Sequence, residues 1–408
     1  MTRRSLLKAG AAFAASTPLL RSSASERSAQ GPSRKPAVVV VGAGVFGGWT
    51  ALYLQRRGAR VTLVDTWGPG NSRASSGGET RVIRGTHGPE RPYMELVRRA
   101  LELWKENQAR WNRTLFRPIG LLWMPGEDDR YEKGALLLLR EFGFAHEELS
   151  AAEAGKRFPQ VNFEDVPWAI YEKETGYLLA RRACQAVLEA FQSEGGDYRQ
   201  LALTPGAIRG SVLSGAQLAD GSTLTAEQYV FACGPWLGRL FPDVLGGLIK
   251  PTRQEVFFFG PPPDDSRFHE DRTPVWIDNG KRLFYGIPGS EWRGFKIADD
   301  TLGPDFDPTS GERAPTPESI EAARRYLEHR FPGLKGAPLV ESRVCQYEKS
   351  PDGHFIVDRH PQAENVVLVG GGSGRGFKHG PALGEWVAGL VLGDRKIDPF
   401  FSLSRFSR

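Results

Sequence analysis

Hydrophobic positions change their spacing several times along this chain, and each change marks an element. From Pro36 the sequence reads PAVVVVGAGVFGGWTALYLQRRGARVTLVD. An unbroken apolar run gives way to a glycine turn, then to helical spacing, then to a second apolar run. That order predicts a βαβ unit opening an α/β domain. Met94, Val97, Leu101 and Trp104 predict a helix over 92–112, and GLLWMP predicts a strand. Ser150 and Glu153 form a capping box at the start of a short helix. Residues 180–193 read as a helix ended by Gly195 and Gly196. AEQYVFACGPW predicts a buried strand entering a tight turn at Gly234. Between 251 and 310 aromatics, Gly and Pro dominate, with strand-like pieces EVFFFG and RLFYGIP. TPESIEAARRYLEHRFPG carries Pro317 near a helix start and Pro332-Gly333 past its end. NVVLVGGG then predicts a strand, and a last helix follows Gly380. The α/β signals lie at both ends and in the middle, with β-rich aromatic segments between. A discontinuous nucleotide-binding domain interrupted by pieces of a second domain fits this order.

A length of 408 residues suits two or three domains, and 40% hydrophobic with 25% charged residues is ordinary for globular proteins. The net charge of +5 is unevenly placed. Arg3, Arg4, Lys8, Arg21 and Arg27 face only Glu26 in residues 1–30, which leaves the remainder near neutral. No basic face remains for nucleic acid. The leader MTRRSLLKAGAAFAASTPLL pairs Arg3 and Arg4 ahead of an apolar run from Ala9 to Leu20. That run falls short of the ~20 residues that span a bilayer. Residues 1–30 therefore read as a twin-arginine signal peptide and linker, with Ser22 and Ala24 at a small-x-small cleavage site. The expectation is a periplasmic or extracellular protein with no membrane span, carried out folded by the twin-arginine machinery. Cys184, Cys233 and Cys345 are odd in number and lack zinc-ligand spacing, and the seven histidines show no metal pattern.

Gly42, Gly44 and Gly47 spell G-x-G-x-x-G between a strand and a helix. Glycines here let a pyrophosphate approach the N–H groups of the helix start. Asp65 ends the second strand about 20 residues on, where a carboxylate accepts ribose hydroxyls. This motif by itself leaves NAD and FAD both open.

NSRASSGGETRVIRG, AEQYVFACGPW, RLFYGIPGSEWRGFKIADD, RVCQYEKSPDGHFIVDRHP and GGGSGRGFKHG follow in order from 71 to 380. Together they resemble the monomeric sarcosine oxidase and N-methyltryptophan oxidase group of the D-amino-acid-oxidase-like flavoenzymes. The most specific parts are T-R-x-I-R, C-x-Y, H-F-I-x-D-x-H-P and G-x-G-F-K. The resemblance implies an α/β (α+β) fold: a Rossmann-like FAD-binding domain interleaved with a mainly antiparallel β-sheet substrate domain. The expected boundaries are 36–85, 146–240 and 338–398 for the first, and 86–145 and 241–337 for the second. It implies a monomer that binds FAD and oxidises a small amine or amino acid to an imine, with O2 reduced to hydrogen peroxide. A dehydrogenase feeding a quinone or redox protein, and an inactive flavin-bearing binding protein, stay open as alternatives.

The resemblance also assigns residues. Cys345 matches the cysteine joined by a thioether to the flavin. Arg84 and Lys378 match a pair that grips the substrate carboxylate, while Tyr285 and Tyr347 match tyrosines of the substrate cavity. Thr80 and Arg81 match residues beside the flavin ring, and Lys296 the lysine that promotes reaction with oxygen. Gly374, Arg375, Gly376 and Lys378 lie on the turn before the last helix, whose N–H groups favour negative charge on reduced flavin. Three family histidines are replaced, by Gly77, Asp300 and Arg375. These replacements together point away from sarcosine itself, and the carboxylate at Asp300 points to a second amine or a larger polar substrate. Cys184 and Cys233 are expected in the core, and His354 and His360 in structural roles.

Overall fold

The computed structural model describes residues 35–406 apart from Trp292 and Ser373. The signal-peptide expectation falls outside the described residues. Among these, no helix is long and apolar enough to cross a membrane.

Ala37–Val41 is buried on both faces, which is why it reads as unbroken apolar sequence. It pairs in parallel with Arg60–Val64 on one side and Gln228–Phe231 on the other. The six-stranded sheet runs Ile356–His360, Ala363–Gly370, Gln228–Phe231, Ala37–Val41, Arg60–Val64, Asp197–Arg199, antiparallel only at its first pair. Helices Val45–Arg56 and Gly380–Val391 pack closely, with Gly384 leaving room for Trp49.

The eight-stranded sheet runs Leu339–Lys349, Lys250–Phe259, Phe295–Asp299, Leu283–Ile287, Val275–Asn279, Leu121–Pro125, Trp168–Glu172, His146–Ser150. Only Val275–Asn279 and Leu121–Pro125 pair in parallel. Alternation divides its two faces. Leu122, Phe257, Trp276, Phe284, Phe295 and Ile297 lie on one face, buried under Ala323 and Leu327 of helix Pro317–Arg330. The register puts Trp123, Ile277, Tyr285, Ala298 and Val256 side by side on the other face.

Strand pairing crosses the expected boundaries at three places. His146–Ser150 and Trp168–Glu172, expected with 146–240, join the eight-stranded sheet, and so does Leu339–Lys349, expected with 338–398. Conversely, helix Arg91–Arg110, expected with the second domain, turns its apolar stripe to the nucleotide-side layer. Its Trp104 meets Trp49 edge to face, centroids 5.3 Å apart. Each segment goes where its apolar face finds cover, and local sequence does not encode that choice.

Candidate active site

The glycine turn requires its glycines. Gly42 has φ of 103°, and a β-carbon there would strike the Ala232 carbonyl; one on Gly47 would strike the Gly42 carbonyl. Gly44 has no such obstruction and lines a cleft with Val45, Asp65, Trp67, Gly234 and Trp236. The Asp65 carboxylate accepts from Ala43 N at 2.8 Å, Trp67 N at 2.8 Å and Gly68 N at 2.7 Å. It ties the turn to the end of the second strand. A carboxylate has about four acceptor sites, so capacity remains for a ribose hydroxyl. Burial raises its pKa, and the three N–H groups oppose that rise.

The cleft continues past Arg81, Tyr347, Gly374 and Phe377, and these same four residues also line a second cavity of about 360 Å3. The floor of that cavity is the uncovered face of the eight-stranded sheet: Trp123, Val256, Ile277, Tyr285 and Ala298. Its roof comes from the nucleotide-side layer and includes Arg84, Arg375 and Lys378. Cys345 and Tyr347 are two apart on one strand, so both turn to this face. Cys345 lies opposite Gln254 in the ladder and Tyr347 opposite Thr252. The C-x-Y spacing thus places a sulphur and a phenol side by side where cleft and cavity join.

Arg84 follows strand Thr80–Ile83. Its Nη1 donates to His87 Nδ1 at 3.0 Å, and its guanidinium lies 4.9 Å from the Trp123 ring centroid. His87 is fully buried, and burial with Arg84 nearby holds its pKa well below the usual value. A neutral ring accepting at Nδ1 carries its proton on Nε2. Glu172, also fully buried, accepts from Gly85 N at 2.7 Å, Thr86 N at 2.9 Å and Thr86 Oγ1 at 2.7 Å. It clamps the loop that carries Arg84. Lys378 is 4% exposed, and its Nζ donates to the Arg375 carbonyl at 2.8 Å. Burial and the nearby Arg84 push its pKa well down.

Tyr347 donates its hydroxyl to Asp300 Oδ1 at 2.5 Å. Burial raises the Asp300 pKa, against the Tyr347 hydrogen bond. Burial also pushes Tyr285 up to about 12. Lys296, Ala298 and Asp300 alternate along one strand and its end, so all three side chains share a face. Lys296 lies beyond the main cavity, between two small voids, one of which it shares with Cys345 and Arg81. Its Nζ donates to the Thr80 carbonyl at 3.0 Å. Burial, then Arg81, lowers its pKa well below the ordinary lysine value.

Most expected site residues meet at this junction: Arg81, Arg84, Tyr285, Asp300, Cys345, Tyr347, Gly374 and Lys378 line the cavity, and Gly376 the cleft. Arg375, expected to bind the cofactor, lines the second cavity, where Nη1 donates to Glu90 at 2.8 Å. Gly77 packs against the Asn71 carbonyl. Cys184 is buried in the core and Cys233 borders the cleft. Sequence reading missed His87, Glu172 and Glu348. Glu348 borders the cleft and accepts from Ser75 Oγ at 2.5 Å, and burial raises its pKa to about 7. Its one sequence signal is an acidic residue beside C-x-Y. Among the described residues, no group of three or more His, Cys, Asp or Glu side chains could hold a metal ion.

Comparison with known proteins agrees with this geometry. The pattern of the DAO family, described as FAD dependent oxidoreductase, matches residues 37–390. A monomeric sarcosine oxidase of Bacillus sp. (strain NS-129) is 31% identical over 378 residues, covering 90% of this chain and 96% of that protein. An N-methyl-L-tryptophan oxidase of Yersinia pestis (strain Pestoides F) is 28% identical, covering 90% of this chain and 99% of that one. Among solved structures, an L-proline dehydrogenase from P. horikoshii superposes with TM-score 0.80 at 21% identity, over 92% of this chain and 98% of that chain, and shows the shared fold.

Proposed function

Since the chain belongs to the DAO family of FAD-dependent oxidoreductases, which act on C–N donors, we propose that it oxidises an amino acid or N-alkyl amino acid to an imine and passes the electrons to oxygen. The carbon–nitrogen unit loses two electrons and two protons; O2 gains both pairs and becomes hydrogen peroxide; water then hydrolyses the imine. The observation that carries this reading is the shared wall, where a dinucleotide cleft opens into a cation-lined cavity at Arg81, Tyr347, Gly374 and Phe377.

The residues present fit FAD. The glycine cradle at Gly42, Gly44 and Gly47 leaves no room for side chains at two of its positions, and Asp65 retains acceptor capacity. A β-carbon on Gly374 would come within 2.6 Å of the Tyr347 ring, so the turn before the last helix is equally tight. These residues and Gly376 would hold the group, and Cys345 supports a thioether tether. Bound there, FAD supplies the two-electron acceptor. Arg84 grips the carboxylate with a planar fork, and Lys378 adds a point charge. The apolar floor of Val256, Ile277 and Ala298 excludes water around the reacting carbon. Lys296, fixed by the Thr80 carbonyl, places positive charge where oxygen takes up electrons. In this reading the enzyme works as a monomer and is exported by the twin-arginine signal at its start.

An anaerobic screen of amines and amino acids against the holoenzyme tests the reading. Bleaching of the flavin by an amine, followed by one peroxide per bleached flavin on admitting air, is the expected result. Bleaching without peroxide indicates the dehydrogenase alternative. No bleaching by any amine overturns the catalytic reading.

A further inference from the structure

The cavity beside Cys345 has an unusual charge pattern. Four carboxylates line it: Glu90, Glu255, Asp299 and Asp300. Three of them are spoken for. Glu90 pairs with Arg375 at 2.8 Å, Glu255 with Arg253 at 2.7 Å, and Asp299 with Arg282. Asp300 has only the Tyr347 hydroxyl, on Oδ1, and among the described residues no cation forms an ion pair with it. Lys349 also lines the cavity but makes no ion pair with Asp300. On the roof, among the described residues, Arg84 and Lys378 form no ion pair with a carboxylate either; Arg84 meets His87 and the Trp123 ring, and Lys378 the Arg375 carbonyl.

The unpaired groups come from different layers. Asp300 follows strand Phe295–Asp299 of the sheet floor, whereas Arg84 and Lys378 come from the roof. Arg84, Lys349 and Arg375 act on Asp300 through space, but none forms an ion pair with it, and a half-buried carboxylate without a direct partner is costly, as is a buried cation. A ligand carrying both charges, suitably spaced, offsets both costs at once.

Resting on the oxidase reading above, we propose that Asp300 selects the substrate: an amino acid whose side chain ends in an ammonium or guanidinium group. The α-carboxylate goes to Arg84 and Lys378, and the side-chain cation goes to Asp300 Oδ2. Tyr347 positions the carboxylate through Oδ1. The reacting carbon then lies between the two anchors, over the floor beside Cys345.

The test uses the holoenzyme with a matched pair, Nα-methyl-lysine and Nα-methyl-norleucine, which share a four-carbon side chain and differ only in an ammonium against a hydrogen on its last carbon. Wild-type enzyme is expected to favour the lysine derivative in kcat/KM by about tenfold or more, the worth of one charge contact. Asp300→Asn keeps an acceptor for Tyr347 and removes the charge. It should lose activity on the lysine derivative alone, leaving the two substrates within about twofold. Asp300→Glu retains charge and should retain the preference, which guards against a folding artefact in the Asn variant. Equal losses on both substrates would place Asp300 at the shared α-amine and overturn the inference. Oxidation of neutral amino acids with no preference for the cationic one also overturns it, while the oxidase reading stands. A wild-type enzyme that oxidises no amine overturns both.

Discussion

Arg81 and Cys345, 264 positions apart, meet with guanidinium Nη2 at 3.5 Å from Sγ. The same guanidinium donates to the carbonyls of Thr80 at 2.9 Å and Ser75 at 2.6 Å, which fix its plane. Strand Thr80–Ile83, which pairs with Gly176–Leu179, and strand Leu339–Lys349 of the eight-stranded sheet thus converge where cleft and cavity join. A cation held beside sulphur stabilises negative charge developing there as a bond forms. Arg81→Met should therefore lower the amount of flavin that resists acid extraction by roughly tenfold at a fixed reconstitution time. Absorbance of the acid pellet reads this directly, and an unchanged pellet would show that the guanidinium plays no part.

Arg84, the proposed carboxylate grip, precedes the Gly85–Thr86 turn that Glu172 clamps. Arg84→Ala removes a charge-assisted contact worth about 1.5–3 kcal/mol, so KM for a carboxylate-bearing substrate should rise roughly 10- to 100-fold. Glu172→Gln leaves one of the N–H groups of Gly85 and Thr86 poorly matched. It should raise KM severalfold and lower the melting temperature, with kcat less affected. An Arg84 variant with wild-type KM would remove the carboxylate grip from the account.

Lys296 carries a pH signature. Its cationic form prevails below its lowered pKa and is lost above it. Reoxidation by oxygen should accordingly slow as pH rises through that value. Lys296→Met should slow this half-reaction by roughly 100-fold and flatten its pH profile, with substrate reduction far less changed. Stopped-flow measurement of the two half-reactions separately checks both points; equal losses in each would refute the role.

Glu348 links pH to stability. Burial lifts it from 4.5 to about 7, so across that window the folded protein keeps a proton that the unfolded chain has released. Stability is full below the unfolded value, falls as pH rises toward about 7, and stays reduced above it. The loss is on the order of 3 kcal/mol by linkage. Glu348→Gln should flatten this dependence, gaining stability over wild type at about pH 8 and little at about pH 4.5. Denaturant midpoints at the two values measure it, and parallel curves would contradict it.

The sequence made local features legible. The βαβ opening is visible because a doubly buried strand stays apolar throughout. The capping box at Ser150 forms, with its hydroxyl accepting from Glu153 N and the Glu153 carboxylate from Ser150 N. Helix Pro317–Arg330 starts at its proline and stops before Pro332. Helix Arg130–Glu141 escaped because Gly134 interrupts it and Leu136–Leu139 blur its period; Leu137 is 66% exposed. The destinations of Trp168–Glu172 and Leu339–Lys349 depend on partners far along the chain. Glu172 and Glu348 read as ordinary solvated acids until tertiary structure buries them. The residues around Cys345 stood out because motif spacing and strand period coincide there.

The proposed tether at Cys345 is tested most directly by the intact mass of the holoenzyme in denaturing acid. The expected result is a chain heavier by one FAD, returned to the bare polypeptide mass in Cys345→Ser. A bare-chain mass in the wild type, with all flavin in the supernatant, would contradict it.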